Sequence, residues 1–123
     1  MTKLASFSMV PPEPLEAEEL AAYRAHLERF PVYRAEDDLF VVFGSAEEQS
    51  ETVKLYARAT TPTFDVESFV QLRPDRILVH PGTEGSGVEN LHRFVTWALA
   101  RAPHRLHRGQ TTLTLEEAFP SSS

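Results

Sequence analysis

Between Pro31 and Pro81 the chain is divided into short apolar segments by connections too brief to return a strand to the same end of a sheet. PVYR leads through the acidic turn Glu36, Asp37, Asp38 into LFVVFG, GSAEEQS leads to TVKLYARA, TTP to TFDVESFVQL, and RPD to RILVH. A parallel pair needs a crossover of about a dozen residues or more, so these segments, read as strands, run antiparallel to their neighbours. In TVKLYARA, Val53, Leu55, Ala57 and Ala59 alternate with Thr52, Lys54, Tyr56 and Arg58, the period of a half-buried strand. Phe64, Val66, Val70 and Leu72 share a side of the next segment, interrupted by Ser68. The expectation is an α+β fold: an antiparallel meander sheet of four to six strands.

Two helices flank this region. From Leu15 to Phe30, the spacing of Leu20, Tyr23, Leu27 and Phe30 puts one apolar stripe on a helix. Glu16, Glu18 and Glu19 crowd its positive end, and Pro31 stops it. A second helix is expected from Gly87 to Ala102, burying Val88, Leu91, Val95, Ala98 and Ala102, with Phe94, Trp97 and Leu99 at its flanks. Both are amphipathic and are expected to pack on one face of the sheet. Residues 1–12 read as an extended N-terminal segment or edge strand closed by Pro11, Pro12 and Pro14, TTLTLEE as a last short strand, and 119–123 as a frayed tail. No repeat or linker divides residues 1–123, so one domain is expected.

Composition removes several functions. The chain has no cysteine, which excludes disulfides, thiolate nucleophiles and cysteine-ligated metals. A net charge of −6 disfavours nucleic acid as a partner, because nonspecific binding to it is mostly phosphate neutralisation by Lys and Arg. No run approaches the ~18 apolar residues of a membrane span, and MTKLASFSMVPP is too polar for a secretory signal. The expected location is the cytoplasm. Arginine greatly outnumbers lysine and asparagine occurs once, a pattern that fits a thermostable protein of a heat-adapted or high-GC bacterium.

HPGTEGSGVENL, residues 80–91, resembles a phosphate cradle only in its glycine content. Gly82, Gly85 and Gly87 follow neither the dinucleotide nor the P-loop spacing, no lysine follows, and Glu84 and Glu89 stand where an anion would sit. Ser86 and Glu89 have the spacing of a capping box, so the segment is expected to be a turn and a helix cap. No cofactor is implied.

PHRLHRG carries the H-x-x-H pair His104 and His107, which a helix would bring to one side, and His80, His92 and Glu89 are further ligand types. Adjacent arginines repel a divalent cation and no third ligand is fixed by spacing, so no metal is expected. Between Glu89 and Glu116 there is no carboxylate, and Arg93, Arg101, Arg105 and Arg108 with His104 and His107 form a candidate strip for an anionic partner, RNA included. The competing reading pairs these cations with the acidic first helix and the negative end of the second.

Catalytic arrangements are scarce. Asp65 and Glu67 fit solvent-side carboxylates better than an acid–base pair, and Ser45 lacks the G-x-S-x-G elbow. Tyr56, His80 and Trp97 are the candidates for lining a pocket between the sheet and the second helix, the setting in which a small ligand or an enzymatic role would arise. The leading expectation is a non-enzymatic binding or adaptor protein that self-associates as a homodimer, or binds another protein, through whichever sheet face or edge the helices leave open.

Overall fold

A computed structural model describes residues 5–35, 38–58, 67–82 and 87–119. Its elements are β1 Phe7–Val10, α1 Ala17–Leu27, β2 Val32–Arg34, β3 Leu39–Val42, α2 Ala46–Arg58, β4 Ser68–Leu72, β5 Ile77–His80, α3 Val88–Arg101, β6 Arg105–Arg108, β7 Thr111–Leu113 and α4 Leu115–Ala118. The fold is α+β. Seven strands form one antiparallel sheet in the order β2-β3-β4-β5-β1-β6-β7, accompanied by four helices, three of them of seven residues or more.

The sheet is not a pure meander. β2 to β5 follow one another in space as in sequence, but β1 is inserted between β5 and β6, with Met9 opposite Ile77 on one side and Leu106 on the other. The segment expected at an edge is therefore interior. Phe7 and Met9 are fully buried on one side of β1, and both neighbours satisfy its backbone, so Pro11 and Pro12 are needed only where the strand ends.

The part of TVKLYARA within the described residues, 52–58, is not a strand. It is the C-terminal half of α2, whose first turn is fixed when Ser45 Oγ accepts the Glu48 amide N–H at 3.2 Å, with Glu47 and Glu48 at the positive helix end. The half-buried residues of α2 are Gln49, Thr52, Val53 and Tyr56, a helical i, i+3, i+4, i+7 set. Gln49 Nε2 donates to Val32 O at 2.6 Å, so α2 lies along β2 and occupies a carbonyl of that edge strand.

Two further segments differ from expectation. TTLTLEE is a strand only to Leu113; Thr114 then caps α4, its Oγ1 accepting from Glu117 N and its own N–H donating to Glu117 Oε1. Phe119, expected in a frayed tail, packs edge-on against Phe7 at 5.4 Å, and residues 120–123 lie outside the described residues.

Residues paired across strands share a sheet face, and the two faces are unequal. One carries Phe7, Met9, Phe40, Val42, Val70, Leu72, Ile77, Val79 and Leu106, all buried beneath α1 and α3. α1 contributes Tyr23 and Leu27, as its stripe predicts; α3 contributes Leu91, Phe94, Val95 and Ala98, so Phe94 belongs to the centre of the core rather than its flank. The other face carries Val10, Leu39, Phe69 and Leu78, half-buried, and Val41, fully buried on the side where Tyr56 of α2 meets Tyr33 at 5.3 Å. Among the described residues, no helix is long and apolar enough to cross a membrane.

Candidate functional site

The glycine segment is a seat for α3. A Cβ on Gly87 would fall inside the contact distance of the Val42 carbonyl oxygen and within 2.6 Å of its carbon, so the helix start rests directly on β3. Buried Asn90 locks this junction by donating to Phe43 O at 2.8 Å, and buried Ser68 donates to Pro81 O at 2.6 Å beside it. Gly82 supplies the turn with a φ of 79°. The first residue before the helix is Gly87, and Glu89 accepts from Arg93, four residues on, at 3.1 Å. The expected capping box rests on Ser86, which with Glu84 and Gly85 lies outside the described residues.

Most of the basic strip is engaged by the chain itself. Arg101 forms a two-pronged bond with Glu19 of α1, at 2.8 and 2.7 Å, and lies over the Trp97 ring at 5.4 Å. That guanidinium holds the Glu19 carboxyl below its ordinary value. Arg93 meets Glu89, and Arg108 donates to the carbonyls of Ser6 and Ala5 at 3.3 and 3.2 Å. Arg105 stays exposed and His107 half-buried.

The H-x-x-H segment runs into a strand, not a helix. Alternation therefore sends His107 to the face opposite His104. His104 is buried, with Nδ1 2.8 Å from Ala102 O and Nε2 2.8 Å from Tyr23 Oη. Because a carbonyl only accepts, Nδ1 carries the proton and Nε2 accepts from the tyrosine hydroxyl. Burial pushes the Tyr23 hydroxyl up to about 12, so it remains a donor through the neutral range. His104 is consequently an internal strut between α1 and the start of β6. Among the described residues, no three His, Asp or Glu side chains converge as a metal would require.

The three candidate pocket residues stand apart. Trp97 is on the α1–α3 side, its ring 5.0 Å from Tyr23 and stacked 4.2 Å from His26. His80 is on the other sheet face, stacked 4.6 Å from Phe69, with its Nδ1 2.5 Å from Ser6 Oγ. Tyr56 stands on that second face at α2, its hydroxyl pushed up to about 12 chiefly by burial, with the Glu67 charge adding to the effect. The interior between the sheet and α3, where such a pocket would lie, holds Leu91, Phe94 and Val95 against Val42 and Val70. Asp65 lies outside the described residues.

Two clefts flank Pro11 and Pro12. One, of about 360 Å³, is lined by Glu13, Leu15, Glu16, Glu19 and Tyr23; the other, of about 610 Å³, by Val10, Pro103, His104 and Arg105. Of the groups there, Tyr23 and His104 are bonded to each other and Glu19 to Arg101, while Glu13 and Glu16 are exposed carboxylates.

The surface that sequence reasoning missed is α2. Its outer side carries Glu47, Glu51, Lys54, Leu55 and Arg58, all exposed, and Leu55, 62% exposed, is the one exposed large hydrophobic among the described residues. The spacing of Ser45 and Glu48 ahead of it was the available signal. Compared with protein-family models, curated proteins and solved structures, the chain matches none.

Proposed function

We propose that this chain is a non-catalytic binding protein that acts as a homodimer, with its contact surface on the side of the sheet that carries α2. The composition of that face carries the reading. An antiparallel sheet with one solvated face ordinarily alternates apolar inward with polar outward. Here the face turned away from α1 and α3 sets Val10, Leu39, Phe69 and Leu78, each half-buried, among Ser8, Gln71, His80, Arg105 and His107, next to an α2 that exposes Leu55. A second copy would remove this apolar surface from water. The reading also accords with Tyr23, His104 and Glu19 each being bonded within the chain.

Sedimentation equilibrium is expected to give twice the 13.9 kDa chain mass. A monomer at high micromolar concentration overturns the homodimer. Thermal-shift measurements with divalent metals and nucleotides are expected to leave the melting temperature unchanged. A concentration-dependent rise with either would instead identify a small-ligand site, since a ligand that favours the folded form must raise it.

A further inference from the structure

α2 divides its charge into two halves. The side packed on the sheet is Gln49, Thr52, Val53 and Tyr56. At about 100° per residue, Glu47, Glu51, Lys54 and Arg58 fall within about 60° of one another on the opposite pole. The carboxylates occupy the N-terminal half of this stripe and the cations its C-terminal half. Among the described residues, none of the four forms an ion pair. Each half also sets like charges four residues apart, Glu47 with Glu51 and Lys54 with Arg58, an unfavourable spacing on a helix. The helix dipole favours Glu47 and Arg58 at their ends, but Glu51 and Lys54 lie outside the terminal turns, where that effect has faded.

A stripe ordered minus, minus, plus, plus complements itself when read backwards. We infer that two copies of the chain associate through this stripe, their α2 helices antiparallel about a two-fold axis passing between Thr52 and Val53. Glu47 then faces the partner's Arg58, and Glu51 faces the partner's Lys54; the symmetry repeats both pairs, giving four. The like-charge repulsion within each copy is relieved by the other, and exposed Leu55 flanks the seam. The contact is isologous and therefore closes at two copies. This inference rests on the self-association proposed above and names its surface.

Charge-swap complementation tests it. The double variants Glu47→Lys with Glu51→Lys and Lys54→Glu with Arg58→Glu each set like charges across the axis in their own homodimer. Each is expected to weaken self-association by about ten-fold or more, with circular dichroism showing the helices retained. Mixed in equal amounts, the two variants restore all four opposite-charge pairs and are expected to form a heterodimer near wild-type affinity. Raising salt from ~0.05 M to ~0.5 M should weaken the wild-type dimer, because it shortens the screening length. If both variants remain folded dimers of wild-type affinity, or stay monomeric when mixed, the α2 contact is overturned while the homodimer stands. A wild-type monomer removes both.

Discussion

The two sides of the sheet are built from different chemistry by helices of similar length. α1 and α3 close one side with a core of apolar and aromatic contacts, Tyr23 and Leu27 meeting Phe94, Val95 and Ala98 over the strands, and with the Arg101–Glu19 ion pair at its surface. α2, with 13 residues, buries none of them fully and holds the sheet through Gln49, Thr52, Val53 and a ring contact between Tyr56 and Tyr33. Burial free energy scales with apolar area removed from water, so the first side carries the stability of the fold. The second side is left with exposed charge and half-buried apolar surface. The difference separates the side of the sheet that carries most of the fold's stability from the side that carries less.

Matched truncations on the two sides would break or sharpen this division. Phe94→Ala removes a fully buried ring beneath α1 and is expected to cost about 4 kcal/mol in urea unfolding. Phe69→Ala removes a half-buried ring from the opposite face and is expected to cost about 1 kcal/mol. Equal losses would mean that the second face is as much a core as the first. Gly87→Ala tests the same side at its seam with β3. The added methyl meets backbone rather than a movable side chain, so the helix must shift, and a loss of about 3 kcal/mol is expected. A loss of under about 1 kcal/mol, the ordinary range for a surface change, would show that α3 does not need its close approach to Val42.

The closed side was readable in the sequence and the open side was not, for the same reason. α1 and α3 bury apolar stripes, so Leu20, Tyr23 and Leu27, or Leu91, Val95 and Ala98, declare a helix by spacing alone. α2 buries Gln49 and Thr52 in place of aliphatic residues, so its apolar residues Val53, Leu55 and Ala57 fall two apart and imitate a strand. Only Ser45 and Glu48 betrayed the helix start. The insertion of β1 between β5 and β6 joins residues far apart in the chain, which no local period can report. The bonds that Arg101 and Arg108 of the basic strip make, to Glu19 and to the carbonyls of Ala5 and Ser6, likewise join residues distant in sequence. The pairing of Arg101 with the acidic first helix was nevertheless anticipated from charge complementarity.

The closed side holds one titratable group that should register in stability at mildly acidic pH. His26 of α1 lies stacked 4.2 Å from Trp97, with the Phe30 and Phe94 rings around it and Nε2 buried without a hydrogen-bond partner. Burial first, and then the positive charge of Arg29, hold its pKa below the ordinary 6.5. The unfolded chain therefore takes up a proton at a pH where the folded chain does not, and stability rises with pH in that interval. The contribution of His26 is fully present above 6.5 and is lost as the pH falls from there through the lower folded value. Asp38, held low by Arg24 and then Arg34, obeys the same sign but begins to lose its contribution only below 3.8, so the two windows separate. His26→Phe keeps a ring on Trp97 and removes the titration. Its melting temperature is expected to fall less than that of the wild type between about pH 7 and pH 5, the smallest effect of the set. Parallel curves for the two proteins would mean that His26 takes its proton as readily in the folded chain as in the unfolded one. The α1–α3 seam would then be open to water, and the contrast between the two sides of the sheet would be smaller than their packing implies.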